Sequence, residues 1–244
     1  MKKAVVLTAL AVLMSVFVFA AAEKPTTTFW ILSKAPALNC SDADWKACGI
    51  KPIEISKDVQ VAVGKEKWKH QAAKIYLGCD DKNLYVLAQV KTKAPLRNYK
   101  TGKDIYNGDN IEIFLGFNNS DPDRQSYLET DYQIGVSTGL VLNGKTKSKP
   151  ESYCFNLNQS IDNAKITVKK TGEGYALEAA IPVSNFAGWD ASEGKEIGFD
   201  VGFDDSGTEK EKDREIQMTW SGDKDGWQNP AGWGKATIKK AACK

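Results

Sequence analysis

An all-β fold, an antiparallel β-sandwich of the jelly-roll kind, is predicted by two features of this 244-residue sequence. Apolar and polar residues alternate with a period of two in a series of short runs, and clusters of Gly, Asp and Asn separate those runs. No stretch is amphipathic over a length that would make a major helix. Many short strands joined by tight turns close into packed antiparallel sheets.

Residues 1–22 are set apart first. Met1-Lys2-Lys3 is a basic start, an apolar run follows, and Ala20-Ala21-Ala22 ends it. This is the pattern of a secretory signal peptide cleaved after Ala20 or Ala22, leaving 23–244 as one exported domain, secreted or periplasmic. The run is short for a membrane anchor and a small-residue cleavage site follows it, so stable membrane insertion is not expected. Without Lys2 and Lys3 the 33 basic residues fall to 31, equal to the 31 acidic ones. A net charge near zero gives no electrostatic footprint for nucleic acid or anionic lipid.

The predicted strands are VQVAV (59–63), KIYLGC (74–79), LYVLAQV (84–90), NIEIFLGF (110–117), YQIGV (132–136), KITVKK (165–170), YALEAAI (175–181), IGFDVGF (197–203) and EIQMTW (215–220), with KATIKK as the last. Asp80-Asp81-Lys82-Asn83 and Thr171-Gly172-Glu173-Gly174 are the expected hairpin loops. Alternation also sorts the faces. Ile111, Ile113 and Leu115 share one side, with Glu112 and Phe114 on the other. Ile197, Phe199, Val201 and Phe203 oppose Gly198, Asp200 and Gly202. One face builds the core; the other, which also carries Gln133, is a solvated sheet face or a shallow binding surface.

Five cysteines, at 40, 48, 79, 154 and 243, lie in the exported part, where disulfides form. Cys40 and Cys48 are close in a loop-like stretch and are the expected pair, with one thiol left over. There is no C-x-x-C motif and only one histidine, His70, which disfavours a Cys/His zinc site. Asp121-Pro122-Asp123 and Asp204-Asp205-Ser206-Gly207 are oxygen-rich turns that admit a structural Ca²⁺, although neither matches an EF-hand loop. No other cofactor is expected.

Trp220 to Gly234 reads WSGDKDGWQNPAGWG and holds three of the chain's seven tryptophans. Trp220 ends an alternating strand and Trp233 precedes the last one, so both suit the interior. Trp227 stands in a Gly- and Asp-rich loop that would hold its ring in solvent.

Four segments resemble the family 9 carbohydrate-binding modules: APALNCSDADW (35–45), KIYLGCDDKNLYVLAQV (74–90), IYNGDNIEIFLG (105–116), and the stretch from GYALEAAIP (174–182) through IGFDVGFDDSG (197–207) to WSGDKDGWQNPAGWG. The resemblance implies a β-sandwich that binds a glycan chain end between two aromatic rings. Trp227 and Tyr106 take the stacking positions and Glu112 takes that of a sugar-binding glutamate. Gln133 stands where well-known members have an arginine, Gly202 where they have a glutamine, and Lys224 where they have an asparagine. The expected function is glycan or oligosaccharide binding without catalysis.

Three rivals share the fold. One is an interaction domain that has lost the sugar, which the missing arginine and glutamine permit. Another is a part in glycoside hydrolysis, for which Glu112, Glu178, Asp200 and Asp204 offer carboxylates at outward positions. The third is a haem-binding sandwich, for which Met218 and His70 are the available ligands, although Met218 shares its strand face with Ile216 and Trp220.

Overall fold

The computed structural model describes residues 23–56, 62–64, 71–207 and 213–243. The signal-like leader, residues 59–61 of the first predicted strand and His70 lie outside the described residues. Sixteen strands are described: β1 (Thr26–Ile31), β2 (Ile53–Ser56), β3 (Ala62–Gly64), β4 (Ala72–Cys79), β5 (Asn83–Lys91), β6 (Asn110–Gly116), β7 (Asp131–Ser137), β8 (Leu140–Leu142), β9 (Lys145–Ser148), β10 (Ser152–Cys154), β11 (Gln159–Ser160), β12 (Lys165–Lys170), β13 (Gly174–Pro182), β14 (Glu196–Asp205), β15 (Ile216–Thr219) and β16 (Gly234–Lys240). The single described α-helix, α1 (Ala43–Ala47), is little more than one turn.

The main hydrogen-bonded order is β11-β10-β7-β6-β14-β16-β1-β4-β5-β13-β12, with β15 also on β14 and β2 on β4. The path curls over so that its two ends face each other across one core. Ile111, Ile113, Leu115, Ile134, Phe199 and Val201 come from one side of that core, and Ile75, Leu77, Val86, Leu177 and Ala179 from the other. These are the inward positions of the period-two pattern. The hairpin loop between β4 and β5 forms because Asp80 Oδ1 accepts from the backbone N–H groups of Lys82 and Asn83, at 2.8 and 2.7 Å.

Among the described strands every pairing is antiparallel, as expected, except those of β1. This strand pairs in parallel with β16 along its whole length and with β4 at Trp30 and Ile31. Its sequence, TTTFWI, begins with three threonines and shows no alternation of apolar residues. It is the seam that joins the two layers.

Glu178 is outward on β13 but fully buried, because the segment carrying α1 lies over that face. Trp45 Nε1 donates to Glu178 Oε1 at 3.3 Å and the Cys40 N–H donates to Oε2 at 2.7 Å. Around them Leu32, Trp45, Ile50, Tyr76, Tyr85 and Leu87 form a second, smaller core. The Glu178 carboxylate is therefore a buried clasp on the layer away from β6 and β14, rather than a solubilising charge.

The expected Cys40–Cys48 bridge is corrected. Cys48 is bonded to Cys243, across 195 residues, and Cys40 is a free thiol beside the carbonyls of Thr167 and Ala176. The reason is tertiary: α1 sits next to the chain segment leaving β16, whereas Cys40, in a left-handed backbone conformation, turns onto β12 and β13. Among the described residues no group of three or more His, Cys, Asp or Glu is arranged to hold a metal ion, and no helix is long and apolar enough to cross a membrane.

A bridge closing so long a loop should stabilise the fold by about 3–5 kcal/mol. Cys48→Ser with Cys243→Ser should therefore lower the melting temperature by many degrees, while Cys40→Ser leaves it nearly unchanged. Peptide mapping without reduction should recover Cys48 and Cys243 in one linked fragment. A Cys40–Cys48 fragment would refute the assignment.

Candidate binding cleft on the β6–β7–β14–β15 face

The outward face of the other layer holds an open cleft of about 420 Å³, lined by Tyr106, Glu112, Gln133, Phe155, Arg214, Gln217 and Trp227. Its floor is set by strand register. Glu112 on β6 lies between Gly135 of β7 and Gly202 of β14, and Gly202 in turn pairs with Thr219 of β15. Two glycine neighbours leave the Glu112 side chain without flanking side chains in its own row. Gly135 is required by contact, since an added Cβ would lie 2.6 Å from the Phe155 ring.

The polar groups converge on Glu112. Gln217 Nε2 donates to its Oε2 at 3.1 Å. Asp204, one register step along β14, accepts from Asn110 Nδ2 at 3.2 Å and from Arg214 Nη1 at 3.0 Å. Burial, and next the charge of Asp204, push Glu112 well above the ordinary carboxylate range, with Arg214 and the two glutamines pulling it back. Burial also raises Asp204 to about 6, against the pull of Arg214 and Asn110. The Arg214 guanidinium carbon lies 5.3 Å from the centre of the Tyr106 ring.

Two rings form the rim. Tyr106 is carried by a 3-10 turn, Gly102–Asn107, whose Ile105 is buried beneath it. Asn98 Nδ2 pins this turn by donating to the Ile105 and Asp109 carbonyls at 2.7 and 3.1 Å. Phe155 meets Tyr106 edge-on at 6.1 Å. Opposite in the sequence, the loop from Gly222 to Asn229 carries Trp227, which is 52% exposed against 38% for Tyr106.

The three tryptophans of this region thus divide the work. Trp220 is half-buried and meets Phe199 edge-on at 5.7 Å. Trp233 is buried against Phe114 and Tyr127, and its Nε1 donates to the Gly226 carbonyl at 2.8 Å. The Tyr127 hydroxyl lies 3.2 Å from the Trp227 carbonyl and 3.4 Å from that of Gly226. Both anchors grip the backbone at Trp227 and leave its indole outside.

Of the residues expected from the sequence, Tyr106, Glu112, Gln133 and Trp227 come together here. Lys224 does not line the cleft: it is paired with Asp225 at 2.6 Å, beside a separate depression bounded by Glu23, Asp123 and Asp223. Among the carboxylates offered for hydrolysis, Glu178 stands on the other layer, and Asp200 accepts from Ser221 and from the Val201 N–H. Met218 is fully buried in the main core. Arg214, Gln217 and Phe155 were not foreseen. Gln217 alternates with Ile216 and Met218 and so was legible as a residue of the polar face; nothing in KEKDREI marks Arg214.

Comparison with known proteins agrees with this fold. The model of the family described as Carbohydrate family 9 binding domain-like matches residues 40–241. Endo-1,4-beta-xylanase C of Paenibacillus barcinonensis is 28% identical over 199 residues, 82% of this chain and 16% of the relative. Exoglucanase XynX of Acetivibrio thermocellus is 31% identical over 165 residues, 65% of this chain and 13% of the relative. The chain thus spans about a sixth or less of the length of these relatives. Among solved structures, a carbohydrate binding module family 9 from Caldicellulosiruptor kristjanssonii in complex with cellotriose shares the fold at a TM-score of 0.62 and 20% identity, covering 88% of this chain and 95% of that one. A second structure of a family 9 module from that organism, in complex with glucose, gives 0.59 and 21%, covering 91% and 98%. The fold, the ordered segments and a family match running from Cys40 to Ala241 lead to one conclusion: the protein belongs to the carbohydrate family 9 binding domain-like family.

Proposed function

We propose that the cleft binds the end of a glycan chain, with Trp227 and Tyr106 covering apolar faces of a sugar and Glu112 and Gln133 meeting its hydroxyls, and that the domain performs no catalysis of its own. The observation that carries this reading is the pairing of two partly exposed rings with a polar floor in one cleft of about 420 Å³, within the size range of small-molecule sites. A pyranose has the matching character, with C–H patches for an aromatic face and hydroxyls around its edge. The leader at residues 1–22 supports export, and relatives named as xylanases and an exoglucanase support a place beside polysaccharide-degrading enzymes.

Cellotriose and glucose are the first ligands to titrate, with pull-down on insoluble polysaccharides in parallel. Trp227→Ala should weaken binding by about ten- to a hundredfold, the value of roughly 1–3 kcal/mol for a stacking ring, and leave the melting temperature nearly unchanged. Trp220→Ala should instead cost about 2–4 kcal/mol of stability, because it opens a cavity beside Phe199. Unfolding by Trp227→Ala, or unchanged affinity, would show the exposed indole to be packing. Failure of every sugar and polysaccharide to bind would favour the sugar-free interaction domain.

The pH dependence has a definite sign. Hydroxyls that donate to Glu112 favour its ionised form, and burial holds its pKa above the ordinary range. Affinity should therefore rise as pH is raised through the range, above that of an ordinary carboxyl, in which Glu112 loses its proton. Glu112→Gln should flatten this slope in titration calorimetry; a slope of opposite sign would mean that the protonated carboxyl is the binding form.

A further inference from the structure

The stretch from Tyr132 to Pro150 carries three lysines and no acidic residue, in a chain whose residues 23–244 balance 31 basic against 31 acidic side chains. The three lie on β9 and just beyond it, at Lys145, Lys147 and Lys149, and all are exposed. Among the described residues none of them has a hydrogen-bond or ion-pair partner. Lys100 and Lys103, on the adjoining segment, are by contrast paired with Asp213 and Asp104 at 2.6 and 3.3 Å.

The hairpin that displays the three lysines is locally encoded. Asn143 and Gly144 both take left-handed backbone, with φ of 51° and 72°, between Leu142 and Lys145, which face each other in the ladder. This is the two-residue turn that Asn-Gly favours. β8 and β9 thereby form a two-stranded ribbon of their own, outside the main sheet. Its base is fixed to the segment before the Tyr106 turn. The Val141 N–H donates to the Leu96 carbonyl at 3.0 Å, the Asn98 N–H to the Gly139 carbonyl at 3.0 Å, and Ser148 Oγ to the Asn98 carbonyl at 3.3 Å. Just past the ribbon, Glu151 Oε1 accepts from the Gly102 N–H, at the start of that turn, at 2.9 Å. The basic ribbon and one aromatic rim of the cleft therefore share a support.

A row of unpaired lysines attracts anions, and its layout selects among them. At about 3.3 Å per residue the row from Lys145 to Lys149 extends over roughly 13 Å, so the side chains leave the backbone along a line rather than around one point. Such a row suits charges repeated along a polymer. The exposed residues from Asn143 to Lys149 are Asn, Gly, Lys and Thr alone, with no apolar side chain to enter a lipid surface and no ring to stack on a base. A polysaccharide that bears carboxylates needs neither, since the adjacent cleft supplies the rings. We propose that the β8–β9 ribbon is a second, electrostatic contact site for an acidic polysaccharide, with Lys145, Lys147 and Lys149 meeting carboxylate groups of a chain whose end occupies the cleft, an assignment that rests on the glycan-binding reading above. Exposed charges of this kind act modestly one by one and are screened by salt. Arginine at the three positions keeps the attraction, and glutamine removes it.

The test compares wild type with the triple variant Lys145→Gln, Lys147→Gln, Lys149→Gln and with the corresponding arginine variant. Each is titrated at low and at physiological salt with cellotriose, with a xylan bearing glucuronic acid side groups, and with the same xylan after reduction of its carboxyl groups to alcohols. Wild type should bind the acidic xylan about tenfold more tightly than the reduced one at low salt, and the gap should narrow as salt is added. The glutamine variant should melt with wild type, keep its affinity for cellotriose, and bind the two xylans alike. The arginine variant should keep the preference. Equal binding of both xylans by wild type, or a preference that survives in the glutamine variant, overturns the assignment, while binding of cellotriose leaves the glycan reading intact. Tighter retention of wild type on phosphatidylserine vesicles or duplex DNA than on acidic xylan also overturns it, by giving the ribbon to a different polyanion. No binding of cellotriose or of either xylan by wild type overturns the glycan reading itself, and the assignment with it.

Discussion

The indole of Trp233 is the wedge on which the cleft depends. It is 1% exposed, lies against Phe114 and Tyr127, and has the Arg124 guanidinium carbon 5.6 Å from its ring centre. A buried indole N–H without a partner would cost about 1–3 kcal/mol, and here it is satisfied by the carbonyl of Gly226. That bond determines where Trp227 can be. Room for the wedge comes from Gly116 and Gly198, which face each other on β6 and β14; a Cβ on Gly116 would lie 2.4 Å from Arg124 Nη2, and one on Gly198 would be 3.3 Å from the indole. Arg124 is locked in turn by a two-bond fork to buried Asp131, at 2.9 and 2.7 Å. An ion pair so enclosed is costly to break, and it fixes the loop that delivers Tyr127 to the Gly226 and Trp227 carbonyls.

The floor of the cleft draws its polar groups partly from positions other than those the resemblance marks. By resemblance, Gln133 and Gly202 stand where an arginine and a glutamine are expected. In the structure, a glutamine and an arginine do reach the cleft, from β15 and the residues just before it. Burial raises both Glu112 and Asp204 above the usual carboxylate range, so ionising them in place works against folding, and Arg214 offsets part of that cost. Buried carboxylates with shifted acidity are frequent where a protein prepares a site in advance of its ligand. The same physics explains why the aromatic rim and the charged floor adjoin: the Arg214 guanidinium lies beside the Tyr106 ring, and its backbone is tied to the same 3-10 turn.

The far layer has a different task. There the outward face of β4, β5 and β13 is covered by α1 and its flanks, and Glu178 is consumed in holding them. The Cys48–Cys243 bridge fastens that cover to the end of β16, next to the parallel seam at β1. The Ala241 N–H donates to the Ile31 carbonyl at 2.9 Å, so bridge and seam are contiguous. The covering of this face and the opening of the other explain why the cleft with exposed rings and a polar floor lies on the β6–β14 layer.

By itself the sequence determined the strands whose two faces differ. Period-two alternation located β4 through β7 and β12 through β15, and the inward sets of β6 and β14 are those it indicated, because burying one face of a strand forces that pattern. It also singled out Trp227, Tyr106, Glu112 and Gln133, through loop composition, strand parity and family likeness. Tertiary structure alone decided what depends on distant segments meeting. The threonine-led β1 became a central strand because two neighbours needed a seam, Cys48 found Cys243 rather than nearby Cys40, and Glu178 went from outward to buried under α1. Arg214 entered the cleft because Asp204 and Asn107 hold it there from elements about ten and a hundred residues away. Local patterning records which face of a strand avoids water, but it carries no record of which remote segment will cover that face, and the polar half of this site is built from such remote contacts.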